Sequence, residues 1–219
     1  MGRTRIKICC MQDVAEARLA IRYGADAVGL VSEMPSGPGP IPEEKIAEIA
    51  RRIPAGIATF LLTSQQDSAA IIAQQKRCGT NTLQLVDHVP IEELKAIRAA
   101  LPGIAIVQVI HVGGPESVDE ALSAAPHVNA LLLDSGNQRL AVKELGGTGR
   151  THDWNISREI RDRAGVPVFL AGGLTPDNVA EAITAVEPFG VDVYSGVRTD
   201  GKLDERKLAA FVNRSIMLL

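Results

Sequence analysis

The chain has 219 residues and 46% of them are hydrophobic, which is enough for one domain over residues 1–219 with a core of ordinary size. A formal net charge of −3, with lysine and arginine scattered along the chain, argues against a nucleic-acid-binding protein. No run approaches the ~18 apolar residues of a membrane span, and the segment MGRTRIKICC lacks the apolar stretch of a signal peptide. We therefore expect a cytoplasmic protein that does not associate with membranes.

Eight short apolar segments predict eight strands, in the chain order RIKIC, DAVGLV, GIATFLL, TLQLV, IAIVQVI, ALLLDS, PVFLAGG and VDVYSGV. Each is followed by a helical pattern, and several of these patterns have Asp or Pro near the start and Gly near the end. Regular alternation in units of about 25 residues predicts parallel strands with helical crossovers. Eight units favour an α/β fold of the single-domain (β/α)8 TIM barrel type, and a doubly wound open sheet is the alternative.

Two connections are longer than ordinary turns. The segment SEMPSGPGPIPEE follows the second strand, and GNQRLAVKELGGTGRTHDWN, of about 20 residues, follows the sixth. Long ordered loops in a compact domain are usually functional, and both follow the carboxyl ends of strands. In a TIM barrel that face carries the active site.

Cys9 ends the first strand, where a side chain can point into the mouth of the barrel. It is either a thiol whose pKa is lowered by nearby positive charge, or a small buried apolar residue. Lys7 lies on the same side of the strand, one layer deeper, and is a candidate for stabilising a thiolate. Because an unpaired buried lysine is costly, and because closure places strand eight beside strand one, we predict a Lys7–Asp192 ion pair.

Polar residues and glycines follow three later strands. Asp134, after three leucines, is either a catalytic acid or a cap for the loop backbone. Gly172 and Gly173 follow strand seven, and Ser195 and Gly196 follow strand eight; backbone amides of these two loops bind phosphate in many barrels, although the glycines could serve turns alone.

Other positions give weaker signals. Gly147, in GGTG, could supply further amides or belong to a lid, and Arg198 is either solvated or bound to phosphate. Lys7 and Gln84 are further candidates for contact with the substrate. His111, after strand five, is a possible substrate contact or a loop hydrogen-bonding residue. The four histidines lack the paired spacing of a zinc site, so no metal is expected. No Ser–His–Asp or dinucleotide-binding motif supports a hydrolase or a dehydrogenase.

Six motifs in the same order resemble the phosphoribosylanthranilate isomerase family over nearly the whole chain. They are KIC at 7–9, ADAVGLV at 25–31, LLLDS at 131–135, GGTGRTHDW at 146–154, LAGGLTPDNVAEAI at 170–183 and GVDVYSGV at 190–197. The resemblance implies an Amadori rearrangement of a phosphorylated sugar amine in tryptophan biosynthesis. The resemblance assigns Cys9 as general base and Asp134 as general acid. It also implies that the reaction needs no cofactor and that the protein is a monomer or a homodimer.

The sequence departs from the family pattern on the aglycone side. Cys10 replaces the glycine after KIC, Pro38 aligns with the arginine that holds the anthranilate carboxylate, and Val86 replaces a histidine, whereas Gln84 is kept. Two alternatives to the family's own activity are therefore open. The protein could be a divergent isomerase of another phosphoribosyl amine, or a non-catalytic barrel that binds a sugar phosphate.

Overall fold

A computed structural model describes residues 3–136 and 151–216 of the chain. Eight parallel strands close into a barrel, and β1 pairs with both β2 and β8. The strands are β1 (Arg5–Ile8), β2 (Ala27–Val31), β3 (Ala58–Thr63), β4 (Thr82–Leu85), β5 (Ala105–His111), β6 (Ala130–Asp134), β7 (Val168–Leu170) and β8 (Gly190–Val193). The (β/α)8 prediction is confirmed, and the open-sheet alternative is wrong.

One helix packs outside the barrel after each strand. The helices are α1 (Val14–Arg22), α2 (Glu43–Arg52), α3 (Ser68–Cys78), α4 (Ile91–Ala100), α5 (Glu116–Ala124), α6 (Trp154–Arg163), α7 (Val179–Val186) and α8 (Glu205–Ile216). A short antiparallel pair, β9 (Arg198–Thr199) and β10 (Lys202–Leu203), precedes α8 and was not predicted.

The strands are buried on both faces, which explains why their sequences are continuously apolar rather than alternating. Side chains such as Phe60, Leu132 and Phe169 fill the barrel, whereas Ile8, Leu61 and other outward side chains pack against the helices. Two layers of core therefore hold the carboxyl ends of the strands in place, and those ends carry the predicted site residues.

Several predicted helix boundaries rest on specific caps. Asp13 accepts a hydrogen bond from the Glu16 amide at 2.8 Å, and Gly79 ends α3 with φ of +67°. Helix α7 begins only at Val179, because the Thr175 amide donates to the Asn178 side chain at 2.8 Å and the segment TPDN forms a turn. The residues TPDN therefore precede α7 and do not form its first turn.

Among the helices of the described ranges, none is long and apolar enough to cross a membrane.

Candidate active site

A cavity that is partly open to solvent lies at the carboxyl ends of the strands. Its wall is built by strand ends and by the loop between β2 and α2. The predicted site residues that line it are Cys9, Gln84, Asp134, Gly172, Gly173 and Ser195. Residues up to 186 positions apart in sequence thus meet in one cavity, as expected for this face of the barrel.

Lys7 lies beneath this cavity and forms the predicted ion pair. Its Nζ atom is 2.7 Å from Oδ2 of Asp192 and 3.6 Å from Sγ of Cys9. The lysine side chain is fully buried, and its Nζ also lies 5.1 Å from the centre of the Phe60 ring. Burial disfavours the ammonium, but the Asp192 carboxylate outweighs it and raises the pKa of Lys7. A stable cation therefore lies against the Cys9 thiol.

The Cys9 thiol is acidified by its surroundings. Interaction with the adjacent Cys10 side chain is the main cause that lowers the pKa of Cys9, and the charge of Lys7 adds to it, against the opposing effects of burial and of the Asp192 charge. Gly29 on β2 leaves the necessary space, because a Cβ atom there would lie 2.7 Å from Sγ of Cys9. The arrangement favours a thiolate facing the cavity rather than an inert core thiol.

Cys10, at the position where the family has glycine, has a left-handed backbone with φ of +62°. Its thiol donates to the Pro38 carbonyl at 3.7 Å, and Gly39 is so close that a Cβ atom there would lie 2.6 Å from Cβ of Cys10. The Gln12 side chain donates to the carbonyls of both Cys10 and Gly39. The added thiol at Cys10 and the altered β2–α2 loop are therefore fitted to each other.

Asp134 ends β6 and faces the cavity. Its Oδ1 atom accepts a hydrogen bond from the Ser135 amide at 2.7 Å, which is the backbone-capping role considered for it. The two roles are compatible, because the same carboxylate also lines the cavity wall.

The loops after β7 and β8 form a tightly packed backbone cradle. Gly172 and Gly173 have φ of +82° and +61°, and a Cβ atom on Gly196 would lie 2.0 Å from the Leu174 carbonyl oxygen. Among the residues that the structure describes, the amides of Gly172, Gly173 and Ser195 donate to no backbone carbonyl. Such amides can bind an anion. Gly196 itself lies behind the wall and fixes the contact between the two loops.

The remaining predicted contacts lie elsewhere. The Nε2 atom of His111 is 2.9 Å from the Val86 carbonyl and the ring does not line the cavity, so it has the loop hydrogen-bonding role. Lys7 lies below the cavity wall rather than in it. Gly147 lies outside the described residues.

Arg198 is not solvated, and its guanidinium is bound by groups of the protein itself. The guanidinium is buried, forms an ion pair with Glu16 at 2.6 Å and donates to the Cys10 carbonyl at 2.8 Å. It braces the backbone beside the two cysteines.

Sequence reasoning missed one residue of the site. His152 precedes α6 and lies close to Asp134 beside Gly172. A Cβ atom on Gly172 would lie 3.0 Å from Nδ1 of His152 and 3.2 Å from Oδ1 of Asp134. The motif GGTGRTHDW contained this histidine, but no local pattern indicated its approach to Asp134. Within residues 3–136 and 151–216, no group of three or more His, Cys, Asp or Glu residues is placed to hold a metal ion.

The comparisons with known proteins agree with this geometry. A family model described as N-(5'phosphoribosyl)anthranilate (PRA) isomerase matches residues 6–214. The N-(5'-phosphoribosyl)anthranilate isomerase of Haloferax volcanii is 38% identical, covering 95% of this chain and 91% of its own. Isomerase 2 of Methanosarcina mazei is 37% identical, covering 96% and 93%.

Solved structures give the same result. The phosphoribosylanthranilate isomerase of Thermotoga maritima superposes with a TM-score of 0.84 at 30% identity, covering 98% of this chain and all of that one. A complex of such an isomerase with reduced 1-(o-carboxyphenylamino)-1-deoxyribulose 5-phosphate has a TM-score of 0.82 at 28% identity, covering 98% and 100%. The chain therefore belongs to the N-(5'-phosphoribosyl)anthranilate isomerase family.

Proposed function

We propose that this protein isomerises N-(5'-phosphoribosyl)anthranilate, an aminoaldose, to the corresponding aminoketose in tryptophan biosynthesis, without a cofactor. The observation that carries the proposal is the Cys9 thiol, 3.6 Å from the Lys7 ammonium, in the same cavity as the Asp134 carboxyl group. The reaction needs one group that protonates the ring oxygen and another that removes a proton from carbon, and these two side chains supply them.

In the first step Asp134 protonates the ring oxygen of the sugar. The bond between C1 and that oxygen breaks, and the lone pair of the substrate nitrogen forms a C=N bond to C1. The positive charge on nitrogen then acidifies the hydrogen on C2. Asp134 suits this step because β6 ends at this residue and presents its carboxyl group to the cavity.

In the second step the Cys9 thiolate removes the C2 proton, and the electron pair forms a C1=C2 bond while the nitrogen becomes neutral. Return of a proton to C1 and loss of the proton from the C2 hydroxyl give the ketone. The charge of Lys7 contributes to the lowered pKa of Cys9 and so favours the thiolate, and the lysine does this from within the barrel interior.

The phosphate group is proposed to bind at the loops after β7 and β8. The amides of Gly172, Gly173 and Ser195 surround this side of the cavity, and Gly196 permits the close contact between the loops. Backbone amides suit a dianion because they bring partial positive charge without a flexible side chain.

One observation favours a second candidate, an isomerase of a phosphoribosyl amine with another aglycone. Of the described residues that line the cavity, none is lysine or arginine, and Pro38 lies in the loop where the family pattern has its carboxylate-binding arginine. An arginine–carboxylate contact typically contributes a few kcal/mol. The third alternative, a sugar-phosphate-binding barrel without activity, would keep the phosphate loops alone.

One set of assays separates the three. Freshly prepared N-(5'-phosphoribosyl)anthranilate and N-(5'-phosphoribosyl)aniline, which lacks the carboxylate, are offered to the wild type and to the Cys9→Ala and Asp134→Asn variants. Our proposal predicts turnover of the anthranilate compound, lost in both variants. Turnover of the aniline compound alone supports the changed aglycone. Inactivity toward both, with binding of ribose 5-phosphate that survives both substitutions, contradicts the base and acid roles.

A cytoplasmic location and a monomeric or homodimeric state are part of the same proposal. Size-exclusion chromatography with light scattering tests the oligomeric state directly.

A further inference from the structure

We propose that His152 is a positioning residue that stores the proton which Asp134 delivers to the substrate. The inference rests on the proposed role of Asp134 as general acid. His152 has no role in the two mechanistic steps proposed above.

Three polar atoms converge beside Gly172. A Cβ atom on this glycine would lie 3.0 Å from Nδ1 of His152, 3.1 Å from Oγ of Ser135 and 3.2 Å from Oδ1 of Asp134. Two atoms that lie this close to one point are near enough for direct contact or for one bridging water molecule. Gly172, with φ of +82°, leaves the space between them open.

The imidazole ring is held from its other side. Its Nε2 lies 2.7 Å from Oγ of Ser157, a fully buried residue in α6, whereas its Nδ1 is buried and has no hydrogen-bond partner among residues 3–136 and 151–216. A buried ring nitrogen without a partner is costly, and it is commonly kept where the group has a chemical role. The nitrogen that is left without a partner is the one that lies beside Asp134.

The proposed mechanism needs a proton on Asp134 when the substrate binds. An ordinary aspartic acid, with a pKa of about 3.9, carries a proton in only about one molecule in a thousand at pH 7. An imidazole has an ordinary pKa near 6.5, well above that of a carboxyl group. Burial lowers the pKa of His152 below that ordinary value, and Asp134 and Asp153 oppose this effect. A proton on Nδ1 of His152 would lie beside Oδ1 of Asp134, because both atoms approach the same point next to Gly172.

The charges that act on the ring come from two carboxylates. Burial lowers the pKa of His152, and Asp134 on β6 and Asp153 at the start of α6 oppose this effect. The side toward the β5–α5 loop carries Val112 and Gly113, which have no charge. The proton on His152 is therefore lost as the pH rises through the pKa of this imidazole, which burial lowers, and activity should fall with it.

The proton balance closes over one turnover. The imidazolium passes its Nδ1 proton to Asp134, which passes a proton to the ring oxygen as the C1–O bond breaks. The C2 hydroxyl later loses its proton as the ketone forms, and this proton returns through Asp134 to His152. No further acid or oxidant is required.

The test compares His152→Phe with wild type across the pH range, with His127→Phe at the opposite, amino-terminal end of the barrel as a matched control. We expect kcat/KM of His152→Phe to fall about 10- to 100-fold at pH 7.5, and the alkaline limb of its profile to move to lower pH by more than one unit. We also expect added imidazole to restore part of the activity of His152→Ala. His127→Phe should keep the wild-type profile.

Two further variants keep the test decisive. His152→Gln preserves a polar side chain if the phenylalanine variant misfolds, as judged by circular dichroism, and should show the same shift of the alkaline limb. An unshifted limb in folded His152 variants, beside an inactive Asp134→Asn enzyme, overturns this inference and leaves the acid role intact. An active Asp134→Asn enzyme overturns the acid role itself.

Discussion

Replacing Lys7 by methionine removes the cation beneath Cys9 while keeping a long apolar side chain in the barrel. At 3.6 Å, the attraction between the ammonium and a thiolate is roughly 4–5 kcal/mol at an effective dielectric constant of about 20. The Asp192 carboxylate, 2.7 Å from the same ammonium, loses its partner in this variant; because burial raises its pKa, it takes up a proton, and the loss of its negative charge offsets part of the lost attraction. We therefore expect a net loss of about 1.4–2.8 kcal/mol, which raises the pKa of Cys9 by about one to two units.

The direction of the pH effect follows from the sign of that shift. A raised thiol pKa reduces the thiolate fraction near neutral pH, so kcat/KM of Lys7→Met should fall about 10- to 100-fold at pH 7.5 and recover as the pH rises. The rate of Cys9 alkylation by iodoacetamide, followed by mass spectrometry, should shift by the same number of pH units. A folded Lys7→Met variant whose alkylation profile coincides with that of wild type would refute the electrostatic role of Lys7.

A double variant separates charge from stability. Lys7→Met leaves the Asp192 carboxylate buried without its partner, which should cost about 3–5 kcal/mol of unfolding free energy in urea denaturation. Lys7→Met/Asp192→Asn removes both charges and should recover much of that stability. It should not recover the acidity of Cys9, because the cation is still absent.

Three more predictions address the surroundings of the site. Arg198→Met breaks the buried ion pair with Glu16 and should lower the unfolding free energy by about 3–5 kcal/mol. Competitive inhibition by inorganic phosphate should be unchanged; inhibition that is tenfold weaker would indicate that Arg198 contacts the phosphate. Gly196→Ala, whose Cβ would lie 2.0 Å from the Leu174 carbonyl oxygen, should weaken phosphate inhibition at least about tenfold. The control Gly103→Ala, with nothing within 4 Å of its Cβ, should leave phosphate inhibition unchanged and stability within about 0.5 kcal/mol of wild type; equal phosphate inhibition of the two variants would contradict the close packing of the two loops. Burial raises the pKa of Cys78 to about 12, so its thiol should resist iodoacetamide at pH 8 until urea unfolds the protein, and rapid alkylation of the native protein would contradict that burial.

The barrel could be predicted because its determinants are local and repeated. Each strand is a short apolar run, and each helix has its own period and end signals, so eight units are visible without any long-range information. The Lys7–Asp192 pair followed from two rules, the alternation of side chains along a strand and the closure of β8 onto β1. The positions of Cys9 and Asp134 followed from the strand ends in the same way.

Other parts of the site depend on contacts that no local pattern carries. The sequence places Arg198 after strand eight, but its partner Glu16 lies 182 residues away and meets it only when α1 and the β9–β10 pair are packed. His152 approaches Asp134 only because α6 holds the ring through Ser157. The left-handed backbone of Cys10 is equally invisible in the sequence, because most residues avoid this conformation and only the family's glycine suggests it.

The central claim is that the Cys9 thiolate removes the C2 proton of N-(5'-phosphoribosyl)anthranilate. Its most direct test is the turnover of this compound by wild type, Cys9→Ala and Cys9→Ser, with each variant shown to be folded. The account predicts product formation by wild type, a rate at least about 10²-fold lower for Cys9→Ala, and no more than slight activity for the poorly ionised hydroxyl of Cys9→Ser. A Cys9→Ala enzyme that turns over at the wild-type rate would contradict it.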